Sequence, residues 1–399
     1  MEGTTRPTFA RAGKVLCTRG PCRRVGRLSS IGGPPPVVPD CRGGPKVKKV
    51  AFPCPAGEYP VWVGADSRAA VAKAVEELAP SAVYLVADRT AWEYHGTEFA
   101  GLGETFLFEP GEGSKTISVW SSILEWLAER RADRKSLLIA FGGGVAADLG
   151  GFVAATYMRG ISHLNVATTL LAQVDAALGG KTGLDLPQGK NLVGAFHHPI
   201  GVACDPRFLL TLPERQLRNG MAEVVKYACV FDPSLFEELQ SGEGSALASG
   251  VAFFESVCLR CIEHKAAVVR EDPEDRLGKR ALLNFGHTVG HAIEAALGYS
   301  GIYHGEAVAI GMVVETWVGE RMGMTESGLT ERLRELLLEW RLPVGLDGRC
   351  RIEDVVERLF LDKKAEGGRI ALVIPARVGH AEIVSGVSAE LIEEGLRAL

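Results

Sequence analysis

No apolar run in this 399-residue sequence approaches the ~18 residues a helix needs to cross a bilayer. That argues against a helical membrane span. Cysteine offers no framework either. The nine cysteines are scattered, and only Cys258 and Cys261 stand at C-x-x-C spacing, with no second pair to complete a zinc ribbon. In a helix-like stretch, Val251–Val269, such a pair reads as two buried or half-buried thiols and fits a reducing compartment. Charge of one sign is also scarce. A net charge of −5 is too small to imply a nucleic-acid or membrane field, so an anionic ligand must be met by a local cluster of positive groups. Acids are nearly absent from residues 1–45, which hold Arg6, Arg11, Arg19, Arg23, Arg24, Arg27 and Arg42 against Glu2 and Asp40. With Pro34-Pro35-Pro36, several glycines and no periodicity, this basic leader is expected to be disordered. Its composition partly fits an organelle transit peptide. Its low Ser content and its want of an amphipathic helix favour a dispensable extension.

What is present is ordinary for a globular chain: 46% hydrophobic and 23% charged residues, and length enough for two domains. From Val47 to about Asp205, short apolar runs alternate with helical periods. Pro60–Val63, Ala82–Ala87, Thr105–Phe108, Ser136–Phe141, His163–Ala167 and Val202–Cys204 read as strands. Ser67–Leu78, Ile117–Arg131 and Val145–Ala155 read as helices between them. Such alternation predicts a mostly parallel α/β sheet with helices on its faces, the frame on which Rossmann-like nucleotide binding is built when a suitable turn is present. After Leu212-Pro213, helical periods dominate: Glu214–Val230, Val251–Val269, Ala281–Leu297, Glu306–Met322 and Leu329–Trp340, with a small hairpin at Arg369–Ile374 and Ala381–Val384. The expected organisation is therefore a leader over 1–45, an α/β domain over 46–210 and a mainly α-helical domain over 211–399. A seam between two such domains is the default place for a site.

Three groups of residues carry chemistry. The strand Ser136–Phe141 runs into Gly142-Gly143-Gly144-Val145-Ala146-Ala147-Asp148, which fits G-x-G-x-x-A. Such glycines let backbone N–H groups approach a pyrophosphate at a helix N-terminus. The turn lacks an acid ~20 residues on and follows a middle strand, so a plain strand-to-helix turn stays open as the alternative. Gly111-Glu112-Gly113-Ser114-Lys115 and Thr168-Thr169 follow neighbouring strands and would converge on the same sheet edge. Second, His287 and His291 are spaced i, i+4 on one helix face, His304 opens the next helix, and Asn219 is a plausible cap for the helix that carries Glu223. Two His and a carboxylate with an open position suit a catalytic zinc; stacked surface histidines are the alternative. His95, His163, His197, His198, His264 and His380 read as structural. Third, Lys181, Lys190 and Asn191 lie in a Gly-rich polar loop, Gly179–Asn191, suited to phosphate and carboxylate. Lys226 follows Glu223 by three residues and shares its face, while Arg159, Lys265, Arg280 and the pair Lys363-Lys364 are further cations.

Six of these runs in order, Gly142 to Asp148, Thr168–Asp175, Gly179–Asn191, Met221–Tyr227, Leu282–Glu294 and His304–Met312, closely resemble the 3-dehydroquinate synthase family. The resemblance spans about Val61 to Gly379. It implies an NAD-binding α/β domain, a helical domain and usually a homodimer. It further implies Zn2+ or Co2+ held by Glu223, His287 and His304, with His291 a nearby catalytic residue. Arg159, Lys181, Lys190, Asn191, Lys226, Lys265, Arg280 and Asn284 match positions around the substrate. Asp88, Glu112, Lys115, Gly143, Gly144, Asp148, Thr168, Thr169, Asp175, Phe208 and Thr211, with Lys181 and Lys190, are assigned to the nucleotide side. The implied activity turns 3-deoxy-D-arabino-heptulosonate 7-phosphate into 3-dehydroquinate and phosphate, through transient oxidation by NAD, phosphate elimination, reduction and aldol closure. A cytoplasmic site follows from the resemblance, or a plastid one if the leader is a transit peptide. The basic leader is extra to the family, and Glu271–Lys279 is one residue longer than its usual stretch. Rival readings are a sister cyclase making an inosose or valiolone ring, a metal-dependent polyol dehydrogenase, and a non-catalytic NAD-binding protein. Lys190-Asn191 and Arg280 with Asn284 favour a carboxylate-bearing substrate over the first. The number of anion-binding residues argues against the second, and the competent metal and lysine positions against the third.

Overall fold

In a computed structural model, residues 47–399 are described except 66, 242–249, 274, 276–277 and 366–369, together with the side chains of 360–365. The expectations for the leader and for Lys363 and Lys364 lie outside the described residues.

The strands are β1 (Lys48–Cys54), β2 (Gly57–Val63), β3 (Val83–Asp88), β4 (Glu104–Phe108), β5 (Leu137–Gly142), β6 (Ser162–Ala167), β7 (Lys181–Leu186), β8 (Gly189–Phe196), β9 (Val202–Cys204), β10 (Ile370–Arg377) and β11 (His380–Val387). The helices are α1 (Ser67–Leu78), α2 (Arg89–His95), α3 (Ile117–Glu129), α4 (Gly144–Thr156), α5 (Glu214–Phe231), α6 (Pro233–Gln240), α7 (Gly250–Glu271), α8 (His287–Ala296), α9 (His304–Arg321), α10 (Leu329–Glu339), α11 (Ile352–Ala365) and α12 (Ala389–Ala398). Among the described residues no helix is long and apolar enough to cross a membrane.

Seven strands form one sheet in the order β1-β2-β9-β6-β5-β3-β4, parallel throughout except for the β1–β2 pair. Strand β5 is buried at every residue, as a central parallel strand covered on both faces should be. Helices α3 and α4 pack on one face, through Ile123, Leu127, Leu149 and Val153. Helices α1 and α2 pack on the other, through Val71, Ala91 and Trp92. The crossovers therefore change face between β3 and β5, which makes that crevice a topological switch point, where open α/β sheets bind ligands. The helical half closes on the sheet half through a shared core in which Leu170, Val174 and Leu178 meet Leu217, Met221, Val225 and Phe254. The apolar core is thus continuous across residues 210 and 211.

Two local readings are corrected. Gly179–Asn191 is not a loop. It contains β7 and the start of β8, an antiparallel hairpin in which Gly183 and Gly194 face each other. A Cβ on Gly194 would stand 2.3 Å from the Thr182 carbonyl, so the glycines mark close strand approach rather than a turn. Nor is Ala281–Leu297 one helix. Residues Lys279–Asn284 form a 3-10 turn, and Gly286, at φ +78°, breaks the chain before α8. A Cβ on Gly286 would lie 2.6 Å from the Val308 carbonyl, and one on Gly311 would lie 2.0 Å from that of Gly286. Close packing of α8 on α9 needs both positions bare.

Candidate nucleotide and metal site

Most candidate nucleotide residues lie at or after the carboxyl ends of parallel strands, while Lys181 and Lys190 lie on the antiparallel β7–β8 hairpin. Asp88 ends β3, Glu112 and Lys115 follow β4, Gly143 and Gly144 follow β5, Thr168 and Thr169 follow β6, and Phe208 and Thr211 follow β9. Asp88 accepts a 3.0 Å hydrogen bond from the Ala91 N–H, capping α2. Its Cβ stands 2.9 Å from where a Cβ on Gly142 would be, and a Cβ on Gly143 would be equally close to Thr169. The turn has no room for side chains, and α4 opens from Gly143 without a side-chain cap. A bare glycine turn over the switch point fits the phosphates of a dinucleotide.

Lys115 anchors this end. Buried at 2% exposure, its ammonium lies 2.8 Å from Asp148, 3.3 Å from Glu112 and 3.7 Å from Asp185, and donates to Asn191 Oδ1 at 2.5 Å. Burial opposes the charge, but Asp148 and Glu112 outweigh it and raise the lysine above its usual range. The group ties the turn after β4 to α4 and to the β7–β8 hairpin.

The second centre is built by α5, α8 and α9. Glu223 is fully buried on α5, and its Oε1 lies 3.5 Å from His287 Nε2 and 3.4 Å from His304 Nε2. Two metal bonds of ~2.0–2.1 Å at a tetrahedral angle would separate their donors by about 3.3 Å. Neither oxygen of Glu223 completes a hydrogen bond of normal geometry. The outer nitrogens are engaged: His287 Nδ1 is 3.1 Å from the Phe285 carbonyl, and His304 Nδ1 is 3.1 Å from Glu294 Oε2. Such partners fix the tautomer that turns the Nε2 lone pair inward. Burial pushes His287 down to about 3, leaving it neutral. Burial also disfavours an imidazolium at His304, but Glu223 and Glu294 hold it up to about 10. The centre therefore demands a positive charge, and its donors fit a divalent cation.

The cations continue outward. Lys226 Nζ lies 2.5 Å from Glu223 Oε2 and 3.9 Å from Asp175 Oδ2. Asp175 Oδ1 accepts from Lys265 at 2.5 Å and from the Tyr227 hydroxyl at 2.8 Å. Burial lowers Lys265 to about 8, the Asp175 charge offsetting only part of that cost. Arg280, also buried, comes close to Lys265 beside Gly179, where an added Cβ would lie 2.8 Å from its Nη2 and 3.8 Å from Lys265 Cε. Asp175 thus stands among the lysines near Glu223. Lys190 lies 2.8 Å from Glu294 and 3.8 Å from Glu112.

Other candidates are placed less centrally. His291 is exposed, yet its ring centroid lies 5.4 Å from that of His287 and 5.7 Å from that of His304. Asn284 is exposed just before α8. Lys181 is 56% exposed and pairs with Asp275 at 2.6 Å. Arg159 is exposed on a turn with positive φ at Met158 and Arg159, and makes no hydrogen bond or ion pair among the described residues. Asn219 does not cap its own helix, since α5 begins at Glu214; it bonds α9 instead. Sequence reasoning missed Glu294 and Tyr227. Glu294 lies seven residues after His287 and three after His291, a spacing that already put it on their face.

A nucleotide-type turn at a switch point and a buried Glu-His-His group beside it define the class: an α/β enzyme that couples a nucleotide site to a divalent-metal site. Comparison with known proteins gives the family. Residues 105–219 match the family model described as 3-dehydroquinate synthase N-terminal, and 220–365 the one described as 3-dehydroquinate synthase C-terminal. The chain is 42% identical over 355 residues to a 3-dehydroquinate synthase of Symbiobacterium thermophilum, covering 86% of this chain and 98% of that one. A crystal structure of 2-deoxy-scyllo-inosose synthase with carbaglucose-6-phosphate, NAD+ and Co2+ superposes with a TM-score of 0.78 at 26% identity, covering 88% of this chain and 99% of that one. The 2-epi-5-epi-valiolone synthase of Streptomyces hygroscopicus subsp. jinggangensis, with NAD+ and Zn2+ bound, superposes at 0.76 and 28% identity, covering 85% and 96%. This chain belongs to the 3-dehydroquinate synthase family and is an enzyme of the lyase type.

Proposed function

We propose that the chain converts 3-deoxy-D-arabino-heptulosonate 7-phosphate to 3-dehydroquinate and phosphate, using NAD and Zn2+ or Co2+, as a homodimer. The observation that carries this reading is the unbroken run of charged groups from Lys190 through Glu294, His304, Glu223, Lys226 and Asp175 to Lys265. It brings metal donors and anion-binding cations together within reach of the nucleotide turn.

In this reading residues 46–210 form the nucleotide half and 211–399 the metal and substrate half. Glu223, His287 and His304 hold the cation. Asp88, Glu112, Lys115, Gly143, Gly144, Asp148, Thr168, Thr169, Phe208 and Thr211 line the nucleotide side, with Asp175, Lys181 and Lys190 at the border. When bound, NAD would supply reversible hydride acceptance, and the cation would lower the barrier to losing a hydroxyl proton. Lys226, Lys265, Asn191 and Arg159 orient hydroxyls and anions, and Lys181 and Arg280 clamp the carboxylate and phosphate. His291 and Asn284 position the leaving phosphate. Holding one substrate through several steps is worth much of the barrier.

The exposed apolar side chains of Leu192 and Phe196 on β8, with Met158 on the turn whose Gly160 abuts His197, support pairing with a second copy. The cytoplasm is the proposed location, with a plastid one if the leader is a transit peptide. Substrate class is tested by offering the carboxylated heptulosonate phosphate and, separately, a hexose 6-phosphate, with products read by NMR. A carbocycle from the first alone supports the reading; a carbocycle from the second alone replaces it with a sister cyclase.

A further inference from the structure

Glu294 is the one buried carboxylate that joins a metal donor to the β7–β8 hairpin among the described residues. Its side chain is 3% exposed, and its two oxygens serve different partners. Oε2 accepts from His304 Nδ1 at 3.1 Å, and Oε1 accepts from Lys190 Nζ at 2.8 Å. Lys190 in turn lies 3.8 Å from Glu112, in the turn after β4, and Glu112 lies 3.3 Å from the buried Lys115. On α8, Glu294 follows His287 by seven residues, two turns along the same face. One rigid helix therefore sets both His287 and the carboxylate that orients His304.

Two consequences follow from elementary chemistry. A cation at His304 Nε2 needs the tautomer with hydrogen on Nδ1, which a carboxylate at Nδ1 selects, and which also makes the imidazole a better donor. The charge of that carboxylate is shared with the Lys190 ammonium. An anionic group that draws Lys190 toward itself leaves more of the Glu294 charge on His304, and so strengthens cation binding. Coupling of this kind must run equally in both directions.

We infer that Glu294 is a positioning residue that couples cation affinity at Glu223–His287–His304 to occupancy of the nucleotide side through Lys190. The inference rests on the proposed NAD and metal reading. It concerns which residue links the two sites, not which reaction follows.

The test is a Co2+ titration of the full chain against a competing chelator, with and without NAD. The variants are Glu294→Gln, which keeps the size of the side chain, and Lys190→Met, which leaves His304 and its carboxylate intact. Wild type is expected to bind Co2+ more tightly with NAD present. Glu294→Gln is expected to weaken Co2+ binding by about 10–100-fold, with an altered visible Co2+ spectrum and no response to NAD. Lys190→Met is expected to lose the NAD response without weakening Co2+ binding. Thermal unfolding of each variant separates loss of fold from loss of coupling, and Lys190→Met decides if Glu294→Gln does not fold. Unchanged Co2+ affinity in Glu294→Gln, or a wild-type NAD response in Lys190→Met, overturns the inference. A wild-type chain that binds no Co2+ at all overturns the metal reading instead.

Discussion

The side-chain oxygen of Asn219 accepts a 2.6 Å hydrogen bond from the backbone N–H of Gly305. Asn219 lies on α5 one turn before Glu223, and Gly305 follows His304 at the start of α9. The bond therefore caps one helix from the side of another and fixes a carboxylate donor relative to an imidazole donor. A Cβ on Gly305 would lie 2.1 Å from the Asn219 carbonyl, so nothing larger than glycine permits this approach.

Asn219→Ala is expected to cost about 1 kcal/mol of stability, the usual worth of a lost cap. It is also expected to weaken metal binding, because Glu223 and His304 are no longer held in register. Thermal unfolding and chelator competition on the same preparation check both halves of this expectation.

Asp175 serves two buried lysines and a buried tyrosine. Asp175→Asn leaves Lys226 and Lys265 short of a counter-charge, and removing one partner of a buried pair costs roughly 3–5 kcal/mol. Lys265→Met alone is expected to destabilise as well. The double variant is expected to be less destabilised than the sum of the two, since it removes both charges. Denaturant midpoints of the four proteins give the coupling, and strict additivity would show that the pair does not interact.

Glu315, on α9, is fully buried and accepts from the Gly286 N–H at 2.9 Å, in place of a side-chain cap at the start of α8. Burial raises its carboxyl to about 8, with backbone N–H groups of Gly286 and Val289 opposing the rise. The unfolded chain releases this proton near ~4.3. Between those values the folded chain holds a proton that the unfolded chain has lost. This contribution to stability is thus full below the unfolded value and is lost as pH rises through about 8. Chemical unfolding from pH 5 to 8.5 is expected to show a slope of up to ~1.4 kcal/mol per pH unit, absent in Glu315→Gln.

The sheet half was legible because its signals are local. Ser67–Leu78 and Val202–Cys204 fall where periodicity puts them, and the turns after β4, β5 and β6 carry glycines or hydroxyls, whereas α2 follows β3 directly from the Asp88 cap and has no such signal. The β7–β8 hairpin was not, because Gly183 and Gly194 serve contacts across strands and read in sequence as a turn. The break at Gly286 was hidden for a like reason, since a helical period continues across it and the backbone of α9 dictates the bend. Spacing alone paired His287 with His291, whereas the donors of Glu223, His287 and His304, the set the resemblance implies, are the ones that lie within 4.8 Å of one another around the buried carboxylate. Glu294 escaped notice as the one acid of α8, whose pairing with His304 and Lys190 depends on residues that arrive from elsewhere in the chain. Arg159, matched to the substrate's surroundings by the resemblance alone, is exposed on its turn.

The most direct measurement supplies the purified chain with Zn2+, NAD and 3-deoxy-D-arabino-heptulosonate 7-phosphate, and follows phosphate, dehydroquinate and NADH together. The account predicts equal amounts of phosphate and dehydroquinate and no net NADH, with both products lost when Glu223→Gln replaces the wild type. Accumulating NADH without phosphate release would contradict it and identify a dehydrogenase.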